Sequence, residues 1–139
     1  MPLAVNQGVH VDDPNIEVIP DDAGLLRRIH PKQLISDRNS GKYRPASGAF
    51  KDRELSVDAE PILLANGLDW HFSLRHWSVF SLVRFQAHEA RAKGLQVVHK
   101  PRPPEQQDNP AHTEVTGTTE SIARHLAIVC DWVHLEPKK

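Results

Sequence analysis

The stretch AHTEVTGTTESIARHLAIVCDWV, residues 111–133, decides the fold class, because a strand pattern is followed in it by a helix pattern. In its first part apolar and polar side chains alternate, as they do along a strand that is buried on one face. His112 and Glu114 share one face of this predicted strand, opposite Ala111 and Val115. The polar face therefore either meets water or forms part of a site.

The second part of the stretch predicts an amphipathic C-terminal helix. Thr118 or a neighbour can cap this helix, and Glu120 lies in its first turn, where a carboxylate interacts favourably with the helix dipole. The helix has one apolar stripe, so we expect it to pack on a sheet. The stripe consists of Ile122, Leu126, Val129 and Val133.

Upstream of this stretch, short strand and helix patterns alternate. GLLRRIH, HWSVFSLVRF and LQVVHK are typical of strands, whereas QAHEARAKG is typical of a short helix. ELSVDAEPILLANG predicts a strand end that runs into a helix, with Ser56 or Asp58 as the N-cap. Residues 36–52 and 100–110 are rich in loop-forming residues. The fold class predicted is α+β, a single small domain with a mixed or mostly antiparallel sheet.

Composition divides the 139 residues into three parts. Residues 1–24 contain no Lys or Arg and form an acidic arm, residues 25–136 form the domain, and residues 137–139 form a basic tail. The arm is either a solvated lead-in or a segment that docks on a protein partner or a second copy of the chain. The near balance of 17 basic and 18 acidic side chains argues against a dedicated nucleic-acid binder.

Localisation and redox state follow from two further observations. No stretch has the pattern of a signal peptide or a membrane span, so we expect a soluble, cytoplasmic protein with no membrane association. Cys130 is the sole cysteine, and its apolar neighbours indicate a small core residue. No intrachain disulfide can form.

Familiar catalytic and metal motifs are absent from the sequence. The nine histidines do not have the spacing of a zinc site, so we predict no metal ligands. The sequence also contains neither a G-x-S-x-G elbow nor a Walker loop.

RPASGAF (44–50), LSV (55–57) and PAHTEVTG (110–117) carry a family resemblance. The chain resembles small, uncharacterised bacterial proteins with an R-P-x-S-x-A-F, L-S-V and P-A-H-x-x-V-x-G pattern. The resemblance covers Leu25 to about Trp132. It implies no activity.

The order of Arg28, Ser56 and Glu114 is similar to that in ADP-ribosyltransferases that use an Arg, Ser, Glu triad. That resemblance implies that Arg28 would hold the phosphates of NAD, Ser56 would orient the cofactor and Glu114 would stabilise the developing ribosyl cation. The chemistry is sound, because guanidinium groups bind phosphate oxygens and carboxylates stabilise positive charge. Three residues of these common types also occur in this order by chance.

A polar pocket is the main functional prediction. If the strands meet, Arg28, Arg44, Ser47, Ser56 and His112 would form one cationic site for an anionic small molecule, a nucleotide or a partner's acidic tail. Each of these residues also has a structural interpretation: Arg28 could pair with Asp58 or Glu60, Ser56 could cap a helix, and the other three could organise a loop or an edge strand.

Three functional hypotheses remain open. The first is a binding or accessory module without a cofactor, acting in a bacterial conflict or mobile-element system. The second is an NAD-using enzyme with Ser56 and Glu114 as catalytic residues. The third is nucleic-acid binding through basic side chains after the acidic arm, namely Arg27, Arg28, Lys32, Arg38, Lys42, Arg44, Lys51 and Arg53.

Overall fold

The computed structural model describes residues 17–36, 39–106 and 108–136, which contain eight strands, three α-helices and four short 3-10 helices. The strands are β1 (Gly24–Ile29), β2 (Leu34–Ser36), β3 (Tyr43–Pro45), β4 (Glu54–Ala59), β5 (Ser81–Gln86), β6 (Gln96–His99), β7 (His112–Thr116) and β8 (Asp131–His134). The helices are α1 (Glu60–Ala65), α2 (Ala87–Arg91) and α3 (Glu120–Val129).

Six of the strands form one sheet in the order β6-β7-β4-β1-β5-β8, and every neighbouring pair in it is antiparallel. β2 and β3 form a separate hairpin. The prediction of an α+β domain with a mostly antiparallel sheet and a C-terminal helix is therefore confirmed.

The two faces of the sheet differ in chemistry because side chains alternate along each strand. Leu25, Val57 and Val115 belong to the apolar face and are buried. The other face is polar in its middle, where Ser56 of β4 lies opposite Glu114 of β7. This polar face carries the candidate site described below.

The C-terminal helix α3 contributes to the apolar core. Its N-cap is Thr119, whose side chain accepts a hydrogen bond of 3.4 Å from the Ile122 backbone N–H. Ala123 and Leu126 are buried in the same cluster as the apolar face of the sheet. The helix packs against the 3-10 helix Ser47–Phe50, whose phenylalanine is fully buried.

The predicted extension of this helix to Val133 is wrong. Helix α3 ends at Val129, and the chain becomes extended at Cys130, where ψ is 157°. The following residues form β8, which pairs with the outer edge of β5. The apolar side chains of these residues would fit a helical stripe equally well. As a strand, however, they form hydrogen bonds with the backbone groups along the edge of β5, which would lack partners in the sheet if the helix continued.

The predicted helix caps and loops also need correction. Ser56 and Asp58 belong to β4, and Ala59 occupies the N-cap position of α1 without a side-chain hydrogen bond. The predicted loop at 36–52 contains strand β3, which pairs with β2, and the 3-10 helix Ser47–Phe50. The predicted loop at 100–110 contains a 3-10 helix, Pro104–Gln106, and an isolated bridge between Arg102 and Asn109.

The described end of the acidic arm packs on the domain. Ile19 and Ala23 are buried in the core, and Arg91 Nη1 lies 2.8 Å from Asp21 Oδ1. Residues 19, 21 and 23 of the predicted arm are therefore in contact with the domain. Residues 1–16 of the arm and the basic tail at 137–139 lie outside the described residues.

The described helices are short. The longest, α3, has ten residues, whereas about 20 apolar residues are needed to cross a lipid bilayer. Within the described ranges, no helix could span a membrane.

Candidate functional site

A cavity of about 360 Å³ opens on the polar face of the sheet. β1, β4 and β7 contribute one residue each, and the segments that follow the 3-10 helix Trp70–Leu74 and strand β6 contribute the rest. We call this cavity the arginine pocket. Its lining consists of Arg28, Ser56, Arg75, Trp77, Arg102, Gln106, Asn109 and His112.

His112 presents one ring nitrogen to the pocket. Its Nδ1 lies 2.9 Å from the Lys100 carbonyl oxygen. A carbonyl only accepts hydrogen bonds, so we assign the proton of the neutral ring to Nδ1. Nε2 is then an acceptor, 3.1 Å from Arg102 Nη2 and 3.3 Å from Ser56 Oγ.

The charge state of His112 follows from its surroundings. Burial lowers the pKa of the imidazole, which is 5% exposed, and the Arg102 charge lowers it further. The hydrogen bond to the Lys100 carbonyl and the charges of Glu114 and Asp58 raise the pKa, but the net shift is downward. His112 is therefore neutral at pH 7, and its Nε2 lone pair is available to a donor.

Arg28 is held by an aromatic ring and a backbone carbonyl. Its guanidinium carbon lies 3.8 Å from the centre of a Trp77 ring, and its Nη1 donates to the Ser73 carbonyl at 3.2 Å. Burial lowers its pKa and Asp58 raises it, with smaller lowering effects from Arg27, Arg75 and Arg102. An arginine retains its charge under such shifts. The contact between Arg28 and the Asp58 carboxylate is long, at 4.0 Å.

Asp58 lies beneath the pocket and organises its walls. The side chain is almost fully buried, and Oδ2 accepts a hydrogen bond of 2.6 Å from Ser73 Oγ. Oδ1 accepts one of 2.8 Å from Asn109 Nδ2. The carboxylate thus ties β4 to two non-strand segments. Its single negative charge offsets the charges of the three arginines that line the pocket only in part.

The remaining arginines come from outside the sheet. The Arg75 guanidinium lies 3.7 Å from the centre of the Phe72 ring, and its Nη1 donates to the Phe72 carbonyl at 2.9 Å. Arg102 is positioned by backbone hydrogen bonds of 2.8 and 2.9 Å to Asn109. Three guanidinium groups therefore line the cavity, and one buried carboxylate lies beneath it.

The structure brings three of the predicted site residues together. Arg28, Ser56 and His112 line the arginine pocket. Glu114 lies beside Ser56 in the sheet, but Lys100 Nζ binds its carboxylate at 3.0 Å, and the residue does not contribute to the described lining.

Arg44 and Ser47 line a different groove, so the structure does not bring them together with the other three predicted residues. This groove, of about 610 Å³, lies between the β2–β3 hairpin, α3 and β8. Cys130 also lines it, and burial raises the pKa of this thiol to about 12. A thiolate is therefore rare here at neutral pH.

Arg27 has a structural role instead of a binding one. Its guanidinium donates to the Ala49 and Ser56 carbonyls at 2.9 and 3.0 Å and to Asp52 at 3.1 Å. These contacts remove it from the basic surface on which the nucleic-acid hypothesis depends.

Sequence reasoning missed five of the eight residues in the described lining. These five follow no motif and lie in segments with irregular spacing: Arg75, Trp77, Arg102, Gln106 and Asn109. The one usable signal was the interruption of the proline-rich segment 100–110 by an arginine and an asparagine. Within the described ranges, no group of three or more His, Cys, Asp or Glu side chains is placed to hold a metal ion.

No protein-family model matches the chain, and neither the curated proteins nor the solved structures compared with it gave a match. The interpretation of the pocket therefore depends on its own chemistry.

Proposed function

We propose that this protein binds a small anionic ligand in the arginine pocket, through a phosphate or similar tetrahedral oxyanion group. The observation that carries the proposal is the convergence of Arg28, Arg75 and Arg102 on one cavity that has a single buried carboxylate beneath it. Guanidinium groups fork onto oxyanions and make charge-assisted hydrogen bonds that are roughly twice as strong as neutral ones.

The number of donors around the cavity favours a tetrahedral anion over a planar carboxylate as the ligand. Three guanidinium groups offer more donors than the two oxygens of one carboxylate can accept. A phosphate or sulfate group presents oxygens in several directions and can use donors from several walls. The Ser56 hydroxyl supplies one more donor at the floor of the cavity.

The volume also limits the ligand. A cavity of about 360 Å³ is at the lower end of the range for small-molecule sites, about 300–1,000 Å³. We infer that the protein acts as a binding or accessory module for a phosphate-bearing small molecule or the phosphorylated end of a partner.

Titration calorimetry with inorganic phosphate tests this proposal. Arg28→Gln and Arg102→Gln each remove a charged donor, so each should weaken binding by about tenfold or more. Arg44→Gln is the matched control, because Arg44 lies in the other groove. Equal affinities for all four proteins, or no binding by the unaltered protein, would refute the proposal.

One observation keeps NAD-dependent ADP-ribosyl transfer as a second candidate. Arg28 and Ser56 line the pocket, and Glu114 lies opposite Ser56 on the adjacent strand. The ion pair between Glu114 and Lys100 would have to open for the carboxylate to meet a ribosyl cation. The candidate requires NAD cleavage by the purified protein that disappears in Glu114→Gln, and it fails if NAD stays intact.

A further inference from the structure

We propose that the arginine pocket is catalytic, and that Ser56 and His112 hydrolyse a phosphate monoester through a phosphoserine intermediate. This inference rests on the proposed binding of a phosphate group and adds a reaction to it. It arises from a pair that no sequence motif indicates, because Ser56 and His112 are 56 residues apart and meet only through the pairing of β4 with β7.

The pair has the geometry of a nucleophile and its base. Ser56 Oγ lies 3.3 Å from His112 Nε2, slightly longer than a working hydrogen bond, as is common in sites without substrate. The hydrogen bond from Nδ1 to the Lys100 carbonyl, 2.9 Å, fixes the ring orientation and leaves Nε2 as the acceptor. The carbonyl thus does the orienting that a carboxylate does in serine hydrolase triads.

The hydroxyls of the neighbouring residues Ser73 and Thr113 have other partners. Ser73 Oγ donates to the buried Asp58 carboxylate at 2.6 Å, and Thr113 Oγ1, on the apolar face of the sheet, donates to the Ala111 carbonyl at 3.0 Å. Ser56 Oγ has His112 as its side-chain partner and also lines the cavity. Among these hydroxyls, it is therefore the one placed both to lose a proton and to reach a ligand.

Arg102 links substrate binding to activation of the serine. In the free pocket, Arg102 Nη2 lies 3.1 Å from His112 Nε2 and competes with Ser56 for the same lone pair. A bound phosphate group attracts the guanidinium far more strongly than a neutral imidazole does. Once Arg102 turns to the phosphate, Nε2 is free to accept the Ser56 proton.

The arginines also favour phosphoryl transfer over acyl transfer. Charge in the phosphoryl-transfer transition state is spread over three equatorial oxygens, which guanidinium groups stabilise. Arg28, Arg75 and Arg102 supply such groups around one cavity. The intermediate of acyl transfer carries its charge on one oxyanion, so it would use fewer of these donors.

The reaction balances without a cofactor. Ser56 Oγ attacks phosphorus as its proton passes to His112 Nε2; the bond from phosphorus to the ester oxygen breaks, and that oxygen takes the proton from Nε2. A water then attacks the phosphoserine and gives its proton to Nε2. The bond from phosphorus to Oγ breaks, Oγ recovers the proton, and inorganic phosphate leaves.

The test measures turnover of p-nitrophenyl phosphate and phosphate binding on the same proteins. The unaltered protein should release p-nitrophenol and, after an acid quench, carry one phosphoryl group on the peptide that contains Ser56. Ser56→Ala and His112→Gln should lower kcat by about 100-fold or more, because general-base catalysis contributes about 10²–10⁴-fold. Ser47→Ala, a serine in the other groove, should retain full turnover.

Binding of inorganic phosphate separates this inference from the proposed function and reports on folding. Ser56→Ala should still bind phosphate, since the arginines remain. Phosphate binding without turnover by the unaltered protein, turnover that survives in Ser56→Ala, or hydrolysis of p-nitrophenyl acetate in place of the phosphate ester would each overturn the catalytic inference. If the unaltered protein does not bind phosphate at all, the binding proposal is overturned as well.

Discussion

The buried Asp58 carboxylate holds Asn109 by a hydrogen bond of 2.8 Å, and this contact connects the sheet to the segment that carries Arg102. Asn109 in turn pairs with Arg102 through two backbone hydrogen bonds. The same carboxylate accepts a hydrogen bond from the Ser73 hydroxyl, and the Ser73 carbonyl accepts one from Arg28. One acidic side chain therefore positions two of the three arginines of the pocket.

Replacing Asp58 by asparagine should destabilise the fold. The amide replaces one acceptor oxygen with an N–H₂ donor and removes the charge, so the hydrogen bonds to Ser73 Oγ and Asn109 Nδ2 lose their charged acceptor. A lost hydrogen bond to a buried charged group costs roughly 1.5–3 kcal/mol. We expect a decrease of about that size in the free energy of unfolding, measured by urea denaturation.

Asp52→Asn is the matched control for this substitution. The Asp52 carboxylate is 64% exposed and meets Arg27 at 3.1 Å. Exposed ion pairs contribute about 0–1 kcal/mol, so this variant should unfold nearly as the unaltered protein does. Equal decreases in the free energy of unfolding for Asp58→Asn and Asp52→Asn would contradict the role assigned to Asp58.

Sulfate affinity should rise as the pH falls. The groups that face His112 are Arg102, Glu114 and Asp58, and its pKa in the free pocket lies below the ordinary value of 6.5. A bound dianion favours the imidazolium, so binding raises this pKa and takes up a proton. The affinity should therefore increase as the pH is lowered toward the pKa of the free pocket, below 6.5. Sulfate remains a dianion in this range and does not itself titrate.

Calorimetry at pH 7.5, 6.5 and 5.5 measures this dependence. His112→Gln removes the titrating group and keeps a polar side chain, so its affinity should depend less on pH. If the two proteins showed the same pH profile, His112 would not face the anion.

Folding stability should have a pH dependence that also traces to His112. Because its pKa is lower in the folded than in the unfolded state, the unfolded chain binds the proton first as the pH falls. The contribution of this residue to stability is constant above pH 6.5 or so, decreases below it, and levels off at the lower folded pKa. Between pH 7.5 and 5.5, the free energy of unfolding of His112→Gln, measured with urea, should decrease less than that of the unaltered protein. A larger decrease in His112→Gln would contradict the assignment.

Thr118→Val should stabilise the protein. Thr118 precedes α3, and its Oγ1 is buried with no hydrogen-bond partner in the described part of the chain. Valine has nearly the same shape and removes the unsatisfied hydroxyl, which costs about 1–3 kcal/mol when buried. We expect the free energy of unfolding to increase by about 1 kcal/mol, part of that cost. In urea denaturation this appears as a higher midpoint with an unchanged dependence of the free energy on urea concentration. Thr118→Ser keeps the hydroxyl and loses a methyl group, so it should not show the gain.

The sequence predicted the elements whose pattern is local. The alternation in residues 111–117 correctly predicted β7, and the cap and apolar stripe after it predicted the start of α3. The same alternation placed His112 and Glu114 on one face, and the register of β7 against β4 agrees. Such patterns are visible because burial of one face imposes a period on neighbouring residues.

The elements and pocket residues that the sequence did not predict depend on contacts between distant segments. Residues 131–134 are strand because the edge of β5 is free to pair with them, a fact that no local pattern contains. Ser56 and Asp58 had the composition of helix caps, and only the continuation of β4 to Ala59 turned them toward the polar face. Arg75 and Arg102 reach the pocket because of where their segments cross the sheet.

The most direct test is the location of a bound heavy oxyanion in crystals of the protein. Crystals soaked in tungstate should show one strong anomalous peak between the guanidinium groups of Arg28, Arg75 and Arg102, and Arg102→Gln crystals should show a weaker one. An empty arginine pocket, with peaks only at arginines outside it such as Arg44 and Arg124, would contradict the assignment of the pocket as an anion site.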